Sequence, residues 1–227
     1  MRLHAVGRRV MLLLAAIASA RAATLEDVLA RMDVAAKQFK SYSAMAKVID
    51  YTKLFDDRYE QNGSFRLRRL KDGVSGIMDL SAGRDPKVFH FNGPVLEIYL
   101  PKAGETQVLK VGQYTSMVNR MLLVGFSVTR EDLRKDYAIA LGGAEKIGAM
   151  PVTGIVLTPK SREALKRIVK IELWIPDGTG YAIRQKIDQP KEDYHLVEYS
   201  NLQVNPTLPD SAFELIVPAG TKQVIEN

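Results

Sequence analysis

The sequence predicts a mainly β (α+β) fold: one large, curved antiparallel sheet with few helices, wrapped around an apolar interior. Three observations carry this. From Ala44 onward, apolar residues recur with a period of two over most of the chain, the spacing of half-buried strands. Turn formers separate these runs at short, regular intervals, as in an antiparallel meander. Only two stretches, one near the N-terminus and one around Tyr114–Asp132, have helical spacing. A sheet with one apolar face and so few helices to cover it is expected to curve around a hollow interior rather than pack as a compact sandwich.

The elements follow in order. Met1–Arg9 carries Arg2, Arg8 and Arg9 and no acid, and an apolar run, Val10–Ala18, leads to Ala20-Arg21-Ala22. This is the n-region, h-region and A-x-A pattern of a secretory signal peptide. The apolar run is far shorter than the roughly 20 residues that span a bilayer as a helix, and no cysteine stands at the cleavage point to carry a lipid. Residues 1–22 are therefore expected to be a signal peptide and residues 23–227 a single domain, exported to a Gram-negative periplasm as an unanchored monomer.

Composition limits the partners. The chain has 32 basic and 26 acidic residues, a net charge of +6, but Arg2, Arg8, Arg9 and Arg21 belong to the leader. Taking those four from 32 leaves 28 basic residues against 26 acidic ones, or +2, so the charge gives no ground for nucleic-acid binding. With no cysteine there is no disulfide framework, and stability must come from buried core.

After the leader, Thr24-Leu-Glu-Asp27 reads as an N-cap followed by acids in the first turn. Leu25, Val28, Leu29, Met32, Ala36 and Phe39 then define one amphipathic helix ending near Ser41. Strands are expected around 47–55, 59–70, 74–80, 87–91, 95–100 and 106–110, separated by Asp56-Asp57, Lys71-Asp-Gly73, Ala82-Gly83, Asn92-Gly93 and Lys102-Ala-Gly104. Met117, Val118, Met121, Leu122 and Phe126 return to helical spacing within Tyr114–Asp132. Strands resume at 137–141, 152–158, 167–175, 181–187 and 194–203, before a proline-rich tail with a short apolar piece at Phe213–Val217. Within 167–175, Val169, Ile171, Leu173 and Ile175 should share one face, with Lys170, Glu172 and Trp174 on the other. Phe65, Leu67 and Arg69 should likewise oppose Arg66 and Arg68.

Signals for catalysis are poor. Beyond the leader only His90 and His195 remain, too few for a recognisable metal cluster, and neither lies in an H-E-x-x-H pattern. Gly73-Val-Ser-Gly76 is not a nucleophile elbow, and no phosphate loop or dinucleotide fingerprint occurs. The expected protein is not an enzyme and needs no cofactor or metal.

The order of short motifs resembles the outer-membrane lipoprotein carrier family, the LolA-like periplasmic lipoprotein-sorting proteins. The motifs are Ser41-Tyr-Ser-Ala44 after the first helix, Gly63-x-Phe65-x-Leu67-x-Arg69, and Asn92-Gly93 followed by Tyr99-x-Pro101. Gly125-Phe126, Leu133 with Tyr137, Leu157-Thr-Pro-Lys160 and Ile171-Glu-Leu-Trp-Ile175 come next. Tyr199-Ser-Asn-Leu202, Asn205-Pro206 and Phe213-x-x-x-Val217-Pro-x-Gly220 close the series. One departure is plain: Leu70 follows Arg69 where the family has proline.

The resemblance implies a half-open antiparallel β-barrel of about 10–11 strands with an N-terminal helix and a helical lid. It implies a carrier that takes lipoprotein acyl chains from an inner-membrane ATP-driven exporter to an outer-membrane lipoprotein acceptor. Two alternatives stay open: a sensor module with a regulatory partner, and a carrier for another amphiphile such as a glycolipid or polyene. The residues expected to bind acyl chains are Phe65, Leu67, Arg69, Met78, Leu80, Met117, Met121, Leu122, Phe126, Ile171 and Leu173. For the lid residues, periodicity does not separate a lined cavity from a filled core. Arg69 reads either as a latch holding lid carbonyls with its fixed donors or as a strand-end arginine reaching solvent. Trp174 reads as a rim residue or a packed surface aromatic.

Overall fold

The computed structural model describes residues 23–71, 73–112 and 122–226. The leader expected over 1–22 lies outside these residues, as do Tyr114, Met117 and Met121 of the expected lid.

Helix α1 (Leu25–Gln38) starts where the sequence places it. Thr24 caps it, with Oγ1 accepting from the Asp27 amide and the Asp27 carboxylate accepting from the Thr24 amide, a reciprocal capping box. It stops earlier than expected because Phe39 turns extended. Asn205, far along the chain, then takes over the helix end: its Oδ1 accepts from the Lys40 and Ser41 amides at 2.7 and 3.1 Å, and its Nδ2 donates to the Gln38 carbonyl at 2.9 Å.

Twelve strands follow: β1 (Ser41–Thr52), β2 (Asp57–Leu70), β3 (Gly73–Leu80), β4 (Lys87–Asn92), β5 (Val95–Leu100), β6 (Glu105–Lys110), β7 (Tyr137–Ile147), β8 (Met150–Pro159), β9 (Lys170–Pro176), β10 (Arg184–Asp188), β11 (Tyr194–Val204) and β12 (Lys222–Glu226). They form one sheet in the order β12-β6-β5-β4-β3-β2-β1-β11-β10-β9-β8-β7. Every pairing is antiparallel except β12 on β6. The two ends do not meet, so the half-open antiparallel barrel is the architecture observed. Long-range closure of the meander comes from β1, which pairs with β2 on one side and β11 on the other.

Several boundaries differ from expectation, each for a local reason. β1 begins at Ser41, so Ser41-Tyr-Ser-Ala44 lies inside the strand, and Lys53–Phe55 form a 3-10 turn instead of its end. β9 begins at Lys170; Val169 lies before it and is 44 % exposed, while Ile171, Leu173 and Ile175 are fully buried. Arg167 and Ile168 instead close the short helix α3 (Arg162–Leu165), donating to the Ala164 carbonyl. The count is twelve rather than 10–11 because Lys222–Glu226, too short and polar to show a period, adds to the β6 edge. Helix α2 (Arg130–Asp136) is an element that the sequence spacing does not separate from the preceding stretch; Thr129 caps it, accepting from the Asp132 amide at 3.1 Å.

Two buried clusters cover the concave face. In one, Val28, Leu29 and Met32 of α1, with Val124, Val128 and Leu133, pack on Ile155, Leu157, Ile171, Leu173 and Ile175. In the other, Phe39 and Phe126 pack on Tyr42, Ala44 and Val48 of β1, Phe65 and Leu67 of β2, Val74 and Leu80 of β3, and Val197 and Tyr199 of β11. On the outer face, the tail brings Phe213 under the Arg68 guanidinium, 4.3 Å from the ring centroid, and Arg68 pairs with Asp210.

Candidate functional site

The candidate site is the concave face together with what covers it. Leu122 and Leu123 are helical, and the chain then turns through Val124–Phe126 into the interior. Gly125 makes the descent possible. Its φ of +85° lies in the left-handed region, and a Cβ there would stand 3.0 Å from Ala182, so only glycine fits without strain. The Ala182 amide donates to the Gly125 carbonyl at 2.8 Å.

Phe126 is the centre of an aromatic group. Its ring lies 4.4 Å from Tyr42, 5.9 Å from Phe65 and 5.2 Å from Tyr199, within the range of favourable tilted ring pairs. The covering segment thus fills the barrel with its own side chain. Two tyrosine hydroxyls share this apolar space, and burial pushes both the Tyr42 and Tyr199 pKa values upward, so they stay neutral. The Tyr42 hydroxyl has no hydrogen-bond partner among the described residues.

Arg69 closes the arrangement at the end of β2. Its Nη2 approaches the Ser127 carbonyl at 3.4 Å and the Ala36 carbonyl at 3.5 Å, and it also contacts Ser127 Oγ. Ser127 Oγ in turn reaches the Ala36 carbonyl at 3.4 Å. One guanidinium therefore touches both the covering segment and α1, although the residue as a whole is exposed. Arg69 stands at the strand end while its tip meets oxygens of the covering segment and the helix.

The other candidates are placed as follows. Phe65, Leu67, Leu80 and Phe126 are buried in the second cluster, with Met78 and Leu122 half-buried against it. Ile171 and Leu173 lie beneath α1 in the first cluster. The two sets meet along the covering segment. Trp174 is on the outer face, its indole N–H donating to Glu145 and the Arg184 guanidinium 5.4 Å from its ring; it is a packed surface aromatic. His90 Nδ1 lies 2.7 Å from Glu97, and His195 Nδ1 lies 2.6 Å from Asp50. Among the described residues, no three His, Asp or Glu side chains gather as a metal site, and no helix is long and apolar enough to cross a membrane.

Sequence reasoning missed an open cavity of about 970 Å³ beside this packed interior. It lies between the outer side of α1 (Ala30, Val34, Ala35), the β7–β8 hairpin (Ile147, Met150), the 177–183 loop and the end of β11 (Leu202, Val204). Its origin is a mismatch of strand lengths. β10 pairs with β11 only over Tyr194–Glu198, so the last residues of β11 have no β10 partner and the wall opens there. Tyr199 lines the cavity and also contacts Phe126, making it the partition between cavity and interior. No sequence signal marks the cavity, because its walls come from four separate elements.

No protein-family model matches the chain, and no curated protein matches it significantly. Among solved structures, an uncharacterized conserved protein from Thermus thermophilus aligns over 88% of this chain and 98% of its own, with a TM-score of 0.52 and 9% identity. Lipoprotein LppX from Mycobacterium tuberculosis aligns over 82% and 100%, with a TM-score of 0.49 and 15% identity. A putative outer membrane lipoprotein-sorting protein domain from Vibrio parahaemolyticus aligns over 82% and 94%, with a TM-score of 0.45 and 12% identity. At these identities the likeness concerns fold alone.

Proposed function

We propose that this chain is a periplasmic carrier that binds the acyl chains of lipoproteins on its concave face and shuttles them from the inner to the outer membrane. The observation that carries the reading is the cover of that face. A helix and the segment carrying Phe126 and Ser127 fill the half-open barrel, and one arginine touches both where they meet. Each buried acyl methylene gains about 0.8 kcal/mol, so several chains would compete with Phe126 for the same surface. Displacing the segment would exchange one apolar filling for another, a near-balanced change of the kind that lets cargo both enter and leave.

In this reading residues 1–22 are the export signal, and the exported chain is a monomer. The inner-membrane ATP-driven exporter supplies the cargo, and an outer-membrane lipoprotein acceptor takes it. Met117, Met121, Leu122 and Phe126 follow the acyl chains as the lid moves, thioethers adapting to irregular shapes. Phe65, Leu67, Met78, Leu80, Ile171 and Leu173 form the fixed floor.

The test is purification of the chain from a native periplasm, with co-purifying molecules identified by mass spectrometry, and photo-crosslinkers at Met117, Met121 and Phe126. Recovery of triacylated lipoproteins, captured at those three positions, is expected. Capture confined to distant surface positions, or recovery without acylated cargo, overturns the proposal.

A further inference from the structure

We infer that the cavity beside α1 is a second, preformed site for one single-chain amphiphile with an anionic head, and that Arg31 holds that head. The inference goes beyond lipoprotein carriage and shares with it only the premise that apolar surface here receives acyl chains.

The chemistry of the wall carries the argument. Among the described residues lining the cavity, Arg31 alone is charged, and none is acidic. Apolar groups dominate the rest, with Val34 and Met150 exposed at 55 % and 47 %. Arg31 Nε donates to the Thr179 carbonyl at 2.9 Å, which fixes the guanidinium against the 177–183 loop. Its Nη2 is buried and has no hydrogen-bond partner among the described residues. A buried cationic donor without an acceptor is costly, and arginine's planar fork matches a carboxylate or phosphate.

The volume agrees with this occupant. About 970 Å³ is at the upper end of the range for small-molecule sites, roughly 300–1,000 Å³. That has room for one long chain together with its head. Because the cavity is open while Phe126 fills the interior, loading it does not require Phe126 to leave its place. A lipoprotein anchor presents acyl chains without an anionic head, so the two sites would discriminate by charge.

The experiment uses the delipidated full-length protein and isothermal titration with oleate, lysophosphatidate and neutral monoolein. Both anions should bind, and monoolein should bind at least about tenfold more weakly, the loss expected for one charge-assisted hydrogen bond. The preferred anion separates a carboxylate source from a phosphate source. Arg31→Gln should lower affinity for both anions about tenfold and leave monoolein unchanged. Val34→Glu, at an exposed position on the wall where folding is not at stake, should weaken the anions more than monoolein. Equal binding of all three probes, or Arg31→Gln and Val34→Glu without effect on the anions, overturns the charge inference and leaves the carrier reading intact. If no probe binds, the cavity is no acyl site at all. The carrier reading is judged separately, by its crosslinks under the lid.

Discussion

Arg69 and Arg68 are neighbours on one strand, yet they do opposite jobs because a strand alternates its faces. Arg68 reaches outward to Asp210 and the Phe213 ring, and Arg69 reaches inward to Ser127 and Ala36. In the carrier reading Arg69 stabilises the empty, covered state more than the loaded one. Arg69→Leu should therefore hold cargo more tightly and release it more slowly to purified acceptor, with Arg69→Lys intermediate at best because an ammonium lacks the fork. Release by the Leu variant at the wild-type rate would make Arg69 a strand-end residue only. Tyr42 offers a sharper test of the packed interior. Its hydroxyl is buried and unpartnered among the described residues, and such a group costs about 1–3 kcal/mol. Tyr42→Phe should raise the urea midpoint, whereas a lowered midpoint would mean that the hydroxyl finds a partner in solution. The pair of Asp50 and His195 gives a pH signature. The His195 hydrogen bond holds the Asp50 carboxyl below its ordinary value, against the opposing effect of burial. A lowered carboxylate pKa stabilises the fold above the unfolded value of about 3.9 and loses that contribution as pH falls through the folded value. Asp50 is half-exposed, so the effect stays under about 1 kcal/mol. Asp50→Asn should be less stable than wild type at about pH 5, and the gap should narrow as pH falls below the unfolded carboxyl value of about 3.9.

At the scale of elements, the loop over α1 decides the shape of the cavity. A Cβ on Gly180 would stand 2.3 Å from the Arg31 carbonyl oxygen and 2.6 Å from the Ala35 Cβ, so this loop and helix meet with no room for a side chain. Gly180→Ala should cost at least about 1–3 kcal/mol in urea unfolding, the usual range for overpacking. If stability is unchanged, the loop lifts freely from the helix. Gly180 shows no local pattern in the sequence; its constraint comes entirely from a helix far earlier in the chain, and the same is true of Asn205 at the end of α1. By contrast, the start of α1 was legible because a capping box is local. So were Phe65, Leu67, Ile171 and Leu173 as inward residues, because alternation is a property of each strand alone. Of the stretch with helical spacing, only Leu122 and Leu123 are helical among the described residues; Phe126 lies in a turn, and its descent into the barrel depends on Gly125 meeting Ala182, a contact no local pattern encodes.

At the scale of the molecule, an open sheet must manage two edges. β7 has a register shift between Leu141 and Gly143, and a bulge of this kind hinders further pairing. At the other edge β6 is covered by β12, a short strand rich in polar residues. Deleting residues 219–227 should uncover the β6 edge and promote self-association, read by analytical ultracentrifugation. A deletion variant that stays monomeric at the same concentration would show that β6 protects itself.

The sequence by itself determined the fold class, the strand meander, the inward and outward faces, the capped first helix and the absence of disulfides, since all of these follow from composition and short-range period. Only the tertiary structure decided that Phe126 fills the interior, that Arg69 touches both α1 and the covering segment, and that a cavity with one arginine opens beside them. Those features arise where elements of unequal length and distant origin meet. The cavity exists because β10 stops short of the end of β11, and no single stretch of sequence records the difference between two strand ends.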